Sequence, residues 1–363
     1  MPGSARTYSA IAGIAVTAVA VAIFVVLIIP ALSQQQQQQN PSDQQRKSSL
    51  KVAVVTDALF SDRGWGESSL NAAKQIERKY GFEVATQDNV EIPDIESVLE
   101  KYADAGYDLI IAHGVQWGEP ALSVGRQHPD VKIVVFAGLV KSENVASIFP
   151  MQQEGSFLLG AIAGMMTKTN VIGYVGGEEY PSVINILEGY KQGAKTVNPD
   201  VRIIWTYLND WDNPAKGKEA ATSIIRQKAD VIFHVADTSG HGVIQAAKEN
   251  GGVYALGAVQ DQNSLAPDTV LSSFILDVDK AYDQAVDSVV KGDFKGEIYK
   301  SGIETGKGAP GDGIVYLAPF HGLKDKVPEN VNARLQELLA DVLEKRLVVP
   351  ERLEETTTVA GRI

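Results

Sequence analysis

The sequence of 363 residues contains no cysteine. This absence excludes disulfide bonds, thiolate metal sites and a cysteine nucleophile, and it removes the usual attachment point of a lipid anchor. Basic residues are also scarce, because 33 lysines and arginines stand against 45 aspartates and glutamates and the formal net charge is −12. Since no basic run is longer than two residues, the chain is not expected to bind nucleic acid.

Catalytic signatures are equally scarce. The chain has no Gly-x-Ser-x-Gly elbow and no His-Glu-x-x-His pair. The segment 302–308 is too short for a phosphate loop and has no Ser or Thr after its lysine, and 173–177 lacks the third glycine of a dinucleotide fingerprint. No second metal ligand stands near His113 or His234, so we interpret both as structural. The sequence therefore predicts no enzyme, no cofactor and no metal site.

One long apolar run occupies residues 9–32. It carries no charge and is long enough to cross a bilayer as a single helix. Because Arg6 precedes it, the positive-inside preference predicts that the rest of the chain is extracytoplasmic. Residues 31–33 resemble a signal-peptide cleavage site, but secretory apolar cores are usually shorter. We predict an uncleaved membrane anchor at 1–33, with a cleaved signal as the alternative, and a glutamine-rich tether at 34–49.

From Leu50 onward the sequence alternates apolar strands with helical segments. The run at 52–55 is typical of a strand buried on both faces, and a polar loop and an amphipathic helix to Tyr80 follow it. We place the cap of that helix at Ser68 or Ser69. Strands that alternate with helices pair in parallel, because each crossover needs a helix. The composition, 44% hydrophobic and 21% charged, is that of a globular protein with room for two domains.

The alternation starts again at Val171, and the two halves match. YDLIIAHGVQWGEPALSVG (107–125) and ADVIFHVADTSGHGVIQAA (229–247) each place an aspartate before a strand and a glycine-containing loop after it. We therefore predict an α/β protein with two doubly wound lobes. The predicted division is lobe 1 at 50–150, completed by about 270–318, lobe 2 at 151–269, and a tail at 348–363. The helix at 328–347 stays open between the lobes, with lobe 2 as the working assignment.

Three of the four tryptophans lie in polar, glycine-bearing loops after strands: Trp65, Trp117 and Trp211. Ligands of open α/β sheets bind beyond the carboxyl ends of the strands. A single buried tryptophan usually belongs to a core, but three in equivalent loops predict a site for a flat aromatic ligand or for the apolar face of a sugar. Trp205 lies within a predicted strand, so we interpret it as a packing residue.

Acidic side chains stand in the same loops, where they can accept hydrogen bonds from hydroxyl or amino groups of a ligand. Helix capping is the alternative for such residues, most of all for Asp62 and Asp212. The acidic residues that we predict to contact ligand are Asp57, Asp62, Glu119, Asp237 and Asp261.

Longer segments carry a family resemblance. They are EGSFLLGAIAGMMTKTNVIGYVGG (154–177), EGYKQGAKTVNPD (188–200), NPAKGKEAA (213–221), DVIFHVAD (230–237) and LAPDTVLSS (265–273). Together they resemble the basic membrane protein family, over roughly 51–320. That family comprises substrate-binding proteins of ABC-type importers and is related to the nucleoside-binding lipoprotein of spirochaetes. The resemblance implies a type I periplasmic-binding-protein fold that closes on a nucleoside or purine and delivers it to an ABC permease.

The resemblance also implies roles for single residues. Asp57 matches the family acid at the end of the first strand, Trp65 stands where the family places a base-stacking phenylalanine, and Glu119 matches a family aspartate. The chain departs from the family at several positions. Gly66 replaces a base-reading asparagine, Asp237-Thr238 replaces a pair of glycines, Val259 stands where an aspartate is common, and Leu276 replaces a lysine used towards ribose. A free base or another aromatic solute is therefore an alternative to a nucleoside.

The leading hypothesis is a membrane-tethered, extracytoplasmic receptor that closes on a purine or nucleoside and hands it to an ABC permease. One alternative is a sensor ectodomain that binds the same kind of ligand but signals to a partner. The other is a nucleoside-processing enzyme that works through the loop acids.

Overall fold

The computed structural model describes residues 50–303 and 313–351. The chain divides into two units between Ser49 and Leu50, at the predicted boundary between the tether and the first strand. The predicted anchor, tether and most of the predicted tail lie outside the described residues. Within the described ranges, no helix combines the length and apolar character needed to cross a membrane.

The strands alternate with helices along the chain. The strands are β1 (Lys51–Thr56), β2 (Glu83–Gln87), β3 (Leu109–His113), β4 (Lys132–Phe136), β5 (Val145–Pro150), β6 (Val171–Gly176), β7 (Arg202–Tyr207), β8 (Val231–Val235), β9 (Tyr254–Val259), β10 (Val270–Leu276), β11 (Ile298–Ser301) and β12 (Val315–Leu317). The helices are α1 (Trp65–Tyr80), α2 (Ile95–Asp104), α3 (Gly118–Gln127), α4 (Gln152–Met166), α5 (Pro181–Val197), α6 (Pro214–Arg226), α7 (Asp237–Asn250), α8 (Val278–Lys291) and α9 (Glu329–Leu343).

These strands form two six-stranded sheets with matching order. The first sheet runs β11-β5-β4-β3-β1-β2 and the second runs β12-β10-β9-β8-β6-β7. All neighbouring strands pair in parallel except β10 and β12, which are antiparallel. The apolar central strands are buried because helices cover both faces of each sheet. The prediction of two doubly wound α/β lobes is confirmed.

The chain passes between the lobes at three places, which follow β5, β10 and β11. β5, which the sequence analysis missed, pairs with β4 and leads directly into α4 of the second lobe. The predicted completion of lobe 1 by 270–318 was wrong for β10 and β12. Both strands extend the second sheet, because the fully buried β10 pairs with β9. Only α8, which packs on α1, and β11, which pairs with β5, return to the first lobe.

Two further expectations are wrong in detail. The sequence predicts that the segments 297–303 and 313–317 form a pair of strands around a glycine-rich turn, but β11 and β12 belong to different sheets and a single parallel bridge joins Ile303 to Val315. Trp205 does not pack in a core. It lies on the edge strand β7, is 47% exposed, and carries the Lys191 ammonium 3.8 Å from its ring centroid.

The second lobe contains a tightly packed helix pair, α4 and α5. A Cβ atom on Gly193 of α5 would lie 1.8 Å from the Phe157 carbonyl oxygen of α4, and one on Gly160 would lie 2.1 Å from the Tyr190 carbonyl oxygen. Glycine therefore lets the two helix backbones touch at both positions. α9 packs against the same helix α4, which places the C-terminal helix with the second lobe.

Candidate functional site

A cavity of about 140 Å³ lies between the two lobes. Its lining comes from the ends of β8 and β9, from the segments that follow β1, β3, β4, β6, β7 and β8, and from the first residue of α4. The carboxyl ends of both parallel sheets therefore face one enclosed space, which is where such sheets bind ligands. The Nε2 atom of Gln260 in the second lobe donates to the Gly64 carbonyl of the first at 2.9 Å, so the lobes are in contact beside this cavity.

Trp65 is the aromatic residue that the first lobe presents to the cavity. It is the first residue of α1 and half-buried, and its ring centroid lies 4.1 Å from that of His113. His113 in turn stacks on Phe136 at 4.8 Å and shares a 2.8 Å hydrogen bond with the Tyr282 hydroxyl. Burial lowers the pKa of His113 to about 3. The indole therefore rests on an uncharged, tightly packed support.

The second lobe presents Trp211 and Tyr180. Their ring centroids are 6.1 Å apart with an interplanar angle of 29°, and both residues line the cavity. Trp211 lies flat on the backbone of Gly177, where a Cβ atom would come within 2.2 Å of the indole. Tyr180 was not predicted, although it ends the polar loop after β6 and so obeys the same topological rule. Aromatic rings thus reach the cavity from both lobes.

Asp57 follows β1 and lines the cavity. Its Oδ1 accepts a 3.2 Å hydrogen bond from the Trp117 indole nitrogen, and its Oδ2 accepts one from the Gln116 amide. Burial raises the pKa of Asp57 above its usual value, although these hydrogen bonds act in the opposite direction.

Trp117 is not among the described residues that line the cavity. It is fully buried in a core cluster of the first lobe with Ala53, Val55 and Ile110. The chain turns through a short 3-10 segment at Val115–Trp117, which directs the indole inward. Only its N–H group approaches the site, through Asp57, so Trp117 is a supporting residue.

Asp62 lines the cavity and also organises the start of α1. Its carboxylate accepts from the backbone N–H groups of Gly64 at 2.8 Å, Gly66 at 2.7 Å and Glu67 at 3.0 Å. The capping alternative for this aspartate therefore holds, and the helix begins at Trp65 rather than after a serine cap. A Cβ atom on Gly66 would lie 2.2 Å from the Leu59 carbonyl oxygen, so this loop has no space for the asparagine of the family pattern.

Asp62→Ala is expected to lower the free energy of unfolding by about 1–2 kcal/mol, because three N–H groups at the start of α1 lose their acceptor. The loss is measured by urea unfolding monitored by circular dichroism. Asp94→Ala serves as the matched control, since Asp94 precedes α2 without a side-chain capping hydrogen bond and its removal should change stability by less than about 0.5 kcal/mol. Equal losses in the two variants would contradict the capping role.

Asp237 enters the cavity from the second lobe as the first residue of α7. Its Oδ1 lies 3.8 Å from the position that a Cβ atom would take on Gly64 of the first lobe. Burial raises the pKa of Asp237 well above its usual value, and repulsion from Asp62, Asp212 and Asp57 raises it further. Carboxylates of opposite lobes therefore face one another across a small space.

Three non-glycine residues of the lining have left-handed backbone conformations. The φ angles are 62° at Ala137, 41° at Asp237 and 69° at Val259. Ala137 and Asp237 follow β4 and β8, and Val259 is the last residue of β9. A positive φ is unusual for these residue types, most of all for the β-branched valine, and each costs about 1–3 kcal/mol. Such strain clusters at binding sites, and nothing in the local sequence indicates it.

The remaining predicted residues lie apart from the cavity. Glu119 is exposed in the first turn of α3. Asp261 binds the His321 imidazole at 2.6 Å and accepts from the Asn263 backbone N–H at 3.1 Å. Of the eight predicted ligand contacts, five line the cavity: Asp57, Asp62, Trp65, Trp211 and Asp237. Trp117, Glu119 and Asp261 do not.

Comparison with known proteins agrees with this architecture. A family model described as "ABC transporter substrate-binding protein PnrA-like" matches residues 49–336. The chain belongs to this family. The match extends from the end of the predicted tether into α9, and thus spans both lobes.

Several individual proteins are similar to this substrate-binding protein over most of its length. Basic membrane protein A of Borreliella burgdorferi is 34% identical over 236 residues, which are 64% of this chain and 69% of that protein. A purine-binding protein of Brucella abortus is 29% identical over 296 residues, 80% of this chain and 82% of that protein. A solved ABC transporter solute-binding protein of Aeropyrum pernix has a TM-score of 0.75 at 24% identity, and covers 83% of this chain and 94% of its own. The two-lobed periplasmic-binding-protein fold is therefore shared.

Proposed function

We propose that this substrate-binding protein closes its two lobes on a purine and delivers it to an ABC permease. The observation that carries the proposal is the cavity between the lobes, where Trp65 of one lobe and Tyr180 and Trp211 of the other present aromatic rings. Flat heterocycles bind such rings by stacking. Asp57 and Asp237 supply acceptors for N–H groups at the edge of the base. The purine-binding relative from Brucella abortus supports the same ligand class.

The size of the cavity favours a free base. An apolar cavity of about 150 Å³ in another protein accommodates one benzene molecule, and the present cavity measures about 140 Å³. That space suits a single base more closely than a base with its ribose. Leu276, which replaces the ribose-binding lysine of the family pattern, is buried and does not line the cavity.

The proposal includes a place in the cell. Residues 1–33 would anchor the chain in the membrane, and the two lobes would bind solute on the extracytoplasmic side and present it to the permease. The lobes would close by hinge motion about the three crossing segments. The ligand would leave unchanged, because the role is binding and not chemistry.

Isothermal titration calorimetry of the full-length chain in detergent tests the proposal. We expect adenine, guanine or hypoxanthine to bind in the micromolar range or tighter, and arabinose, as a sugar control, to give no heat. Chromatography after long incubation should recover the base and its nucleoside intact. Failure of every purine base and nucleoside to bind would refute the proposal, and hydrolysis of a nucleoside would show an enzyme instead.

A further inference from the structure

The lining of the cavity carries charge of one sign. Four aspartates contribute to it, and the described residues that line it include no lysine, arginine or histidine. Asp57 and Asp62 come from the first lobe, and Asp212 and Asp237 come from the second. Glu178 adds a further acid close enough to Tyr180 to help burial raise the pKa of its hydroxyl group. Contact between the lobes therefore brings acidic groups together without a cation among the lining residues.

The four aspartates differ in the hydrogen bonds that their carboxylates accept. Asp62 accepts from three backbone N–H groups, and Asp57 accepts from the side chains of Trp117 and Gln116. Within the described residues, by contrast, no side chain donates a hydrogen bond to the carboxylate of Asp237. Asp237 is half-buried, and a carboxylate partly withdrawn from water without a partner is costly. Asp237 is therefore the acid whose partner we expect the ligand to supply.

We propose that the solute is a flat nitrogen heterocycle that carries a positive charge when bound, held between Asp57 and Asp237 of opposite lobes. This inference rests on the proposed function and narrows its ligand class. The aromatic rings fit the same chemistry, because a cation over the face of an indole or phenol ring is attracted by the ring quadrupole. A neutral purine could satisfy single acceptors, but it would supply no positive charge to the acidic groups that the two lobes bring together.

The proposal predicts that binding of the solute changes the protonation of Asp237, in a direction that can be measured. The pKa of Asp237 is raised by burial, with Asp57 and Asp62 facing it from the β1–α1 loop and Asp212 from the β7–α6 loop. A group with a raised pKa holds its proton in the ligand-free closed form at pH values where it is ionised in water. A cation binds the ionised form, so binding should release a proton and tighten as the pH rises from acidic to neutral. A neutral base should show neither effect.

Two isomers provide matched probes. 1,9-Dimethyladenine is a cation at neutral pH, whereas N6,9-dimethyladenine has the same composition and is neutral. We expect the full-length protein to bind the cation at least about tenfold more tightly at low salt, with proton release seen as a dependence of the calorimetric heat on the buffer. Asp237→Asn should reduce this preference to less than about threefold. Glu143→Gln, which removes one exposed charge from the first lobe, should keep it.

The outcomes separate the inference from the proposed function. If the neutral isomer, or adenine itself, bound as tightly as the cation or more tightly, the inference that the bound solute is positively charged would be wrong. The proposal that the cavity binds a purine would still hold. An unchanged preference in Asp237→Asn would overturn the role of Asp237. If neither isomer nor any purine bound, the proposed function would fail and this inference with it.

Discussion

Trp65→Ala should reduce the affinity for the solute by roughly 5- to 150-fold, because loss of one aromatic stacking partner of a base costs about 1–3 kcal/mol. Among the described residues that line the cavity, Trp65 is the only aromatic residue that comes from the first lobe. Its ring is held in place by His113 and Phe136, whose centroids lie 4.1 and 5.5 Å away, so the stacking surface is pre-organised and binding need not order it. Calorimetric titration of the purified variant measures the loss.

Two companion variants make this result specific. Trp65→Phe keeps an aromatic face at the position where the family pattern has phenylalanine, and should retain most of the affinity. Trp117→Ala removes a fully buried ring and should lower the free energy of unfolding by about 3–5 kcal/mol, whereas Trp65→Ala should cost less stability. If the Trp65→Ala protein is folded by circular dichroism and binds the solute with wild-type affinity, Trp65 does not stack on the ligand.

Gly193→Ala should destabilise the protein by about 3 kcal/mol or more, although the same change in an unhindered helix stabilises by about 1 kcal/mol. The added methyl group would lie 1.8 Å from the Phe157 carbonyl oxygen and 2.7 Å from its carbonyl carbon. Those atoms belong to the backbone of α4 and cannot rotate away, so the helices α4 and α5 must separate. Urea unfolding, followed by circular dichroism at several protein concentrations, measures the change.

The control is Gly322→Ala, because no heavy atom lies within 4 Å of the Cβ position at Gly322. It should alter the free energy of unfolding by less than about 0.5 kcal/mol. Gly160→Ala, opposite the Tyr190 carbonyl, should act in the same direction as Gly193→Ala. A Gly193→Ala protein as stable as the wild type would show that α4 and α5 can move apart at little cost.

The repeated strand–helix pattern predicted both sheets, because buried parallel strands read as apolar runs and each crossover needs a helix. The path of the chain between the lobes was not predictable in the same way. In sequence, β5 and β10 are apolar runs like the other strands. Which sheet each of them joins depends on pairing with strands that the local sequence does not identify. β5 also follows β4 without a helix between them, which breaks the alternation on which the analysis relied.

The candidate site shows the same limit on a smaller scale. The rule that ligands meet the carboxyl ends of strands led to Asp57, Trp65, Trp211 and Asp237, which line the cavity. It could not distinguish Trp65 from Trp117, since both follow a strand and only the 3-10 turn at Val115–Trp117 directs the second indole inward. The left-handed conformations of Ala137 and Val259 likewise leave no pattern in the local sequence.

The return of β11 to the first sheet affects how this molecule can be divided. Because β11 pairs with β5, a fragment ending at Pro150 would have an unpaired edge of backbone N–H and C=O groups along a fully buried apolar strand. It would also lack α8, which covers α1. Exposed edges of this kind recruit further strands from neighbouring molecules. Recombinant production of residues 50–150 alone should therefore give aggregates, and a fusion that links them to the distant segments of the same lobe would be needed to obtain a soluble half.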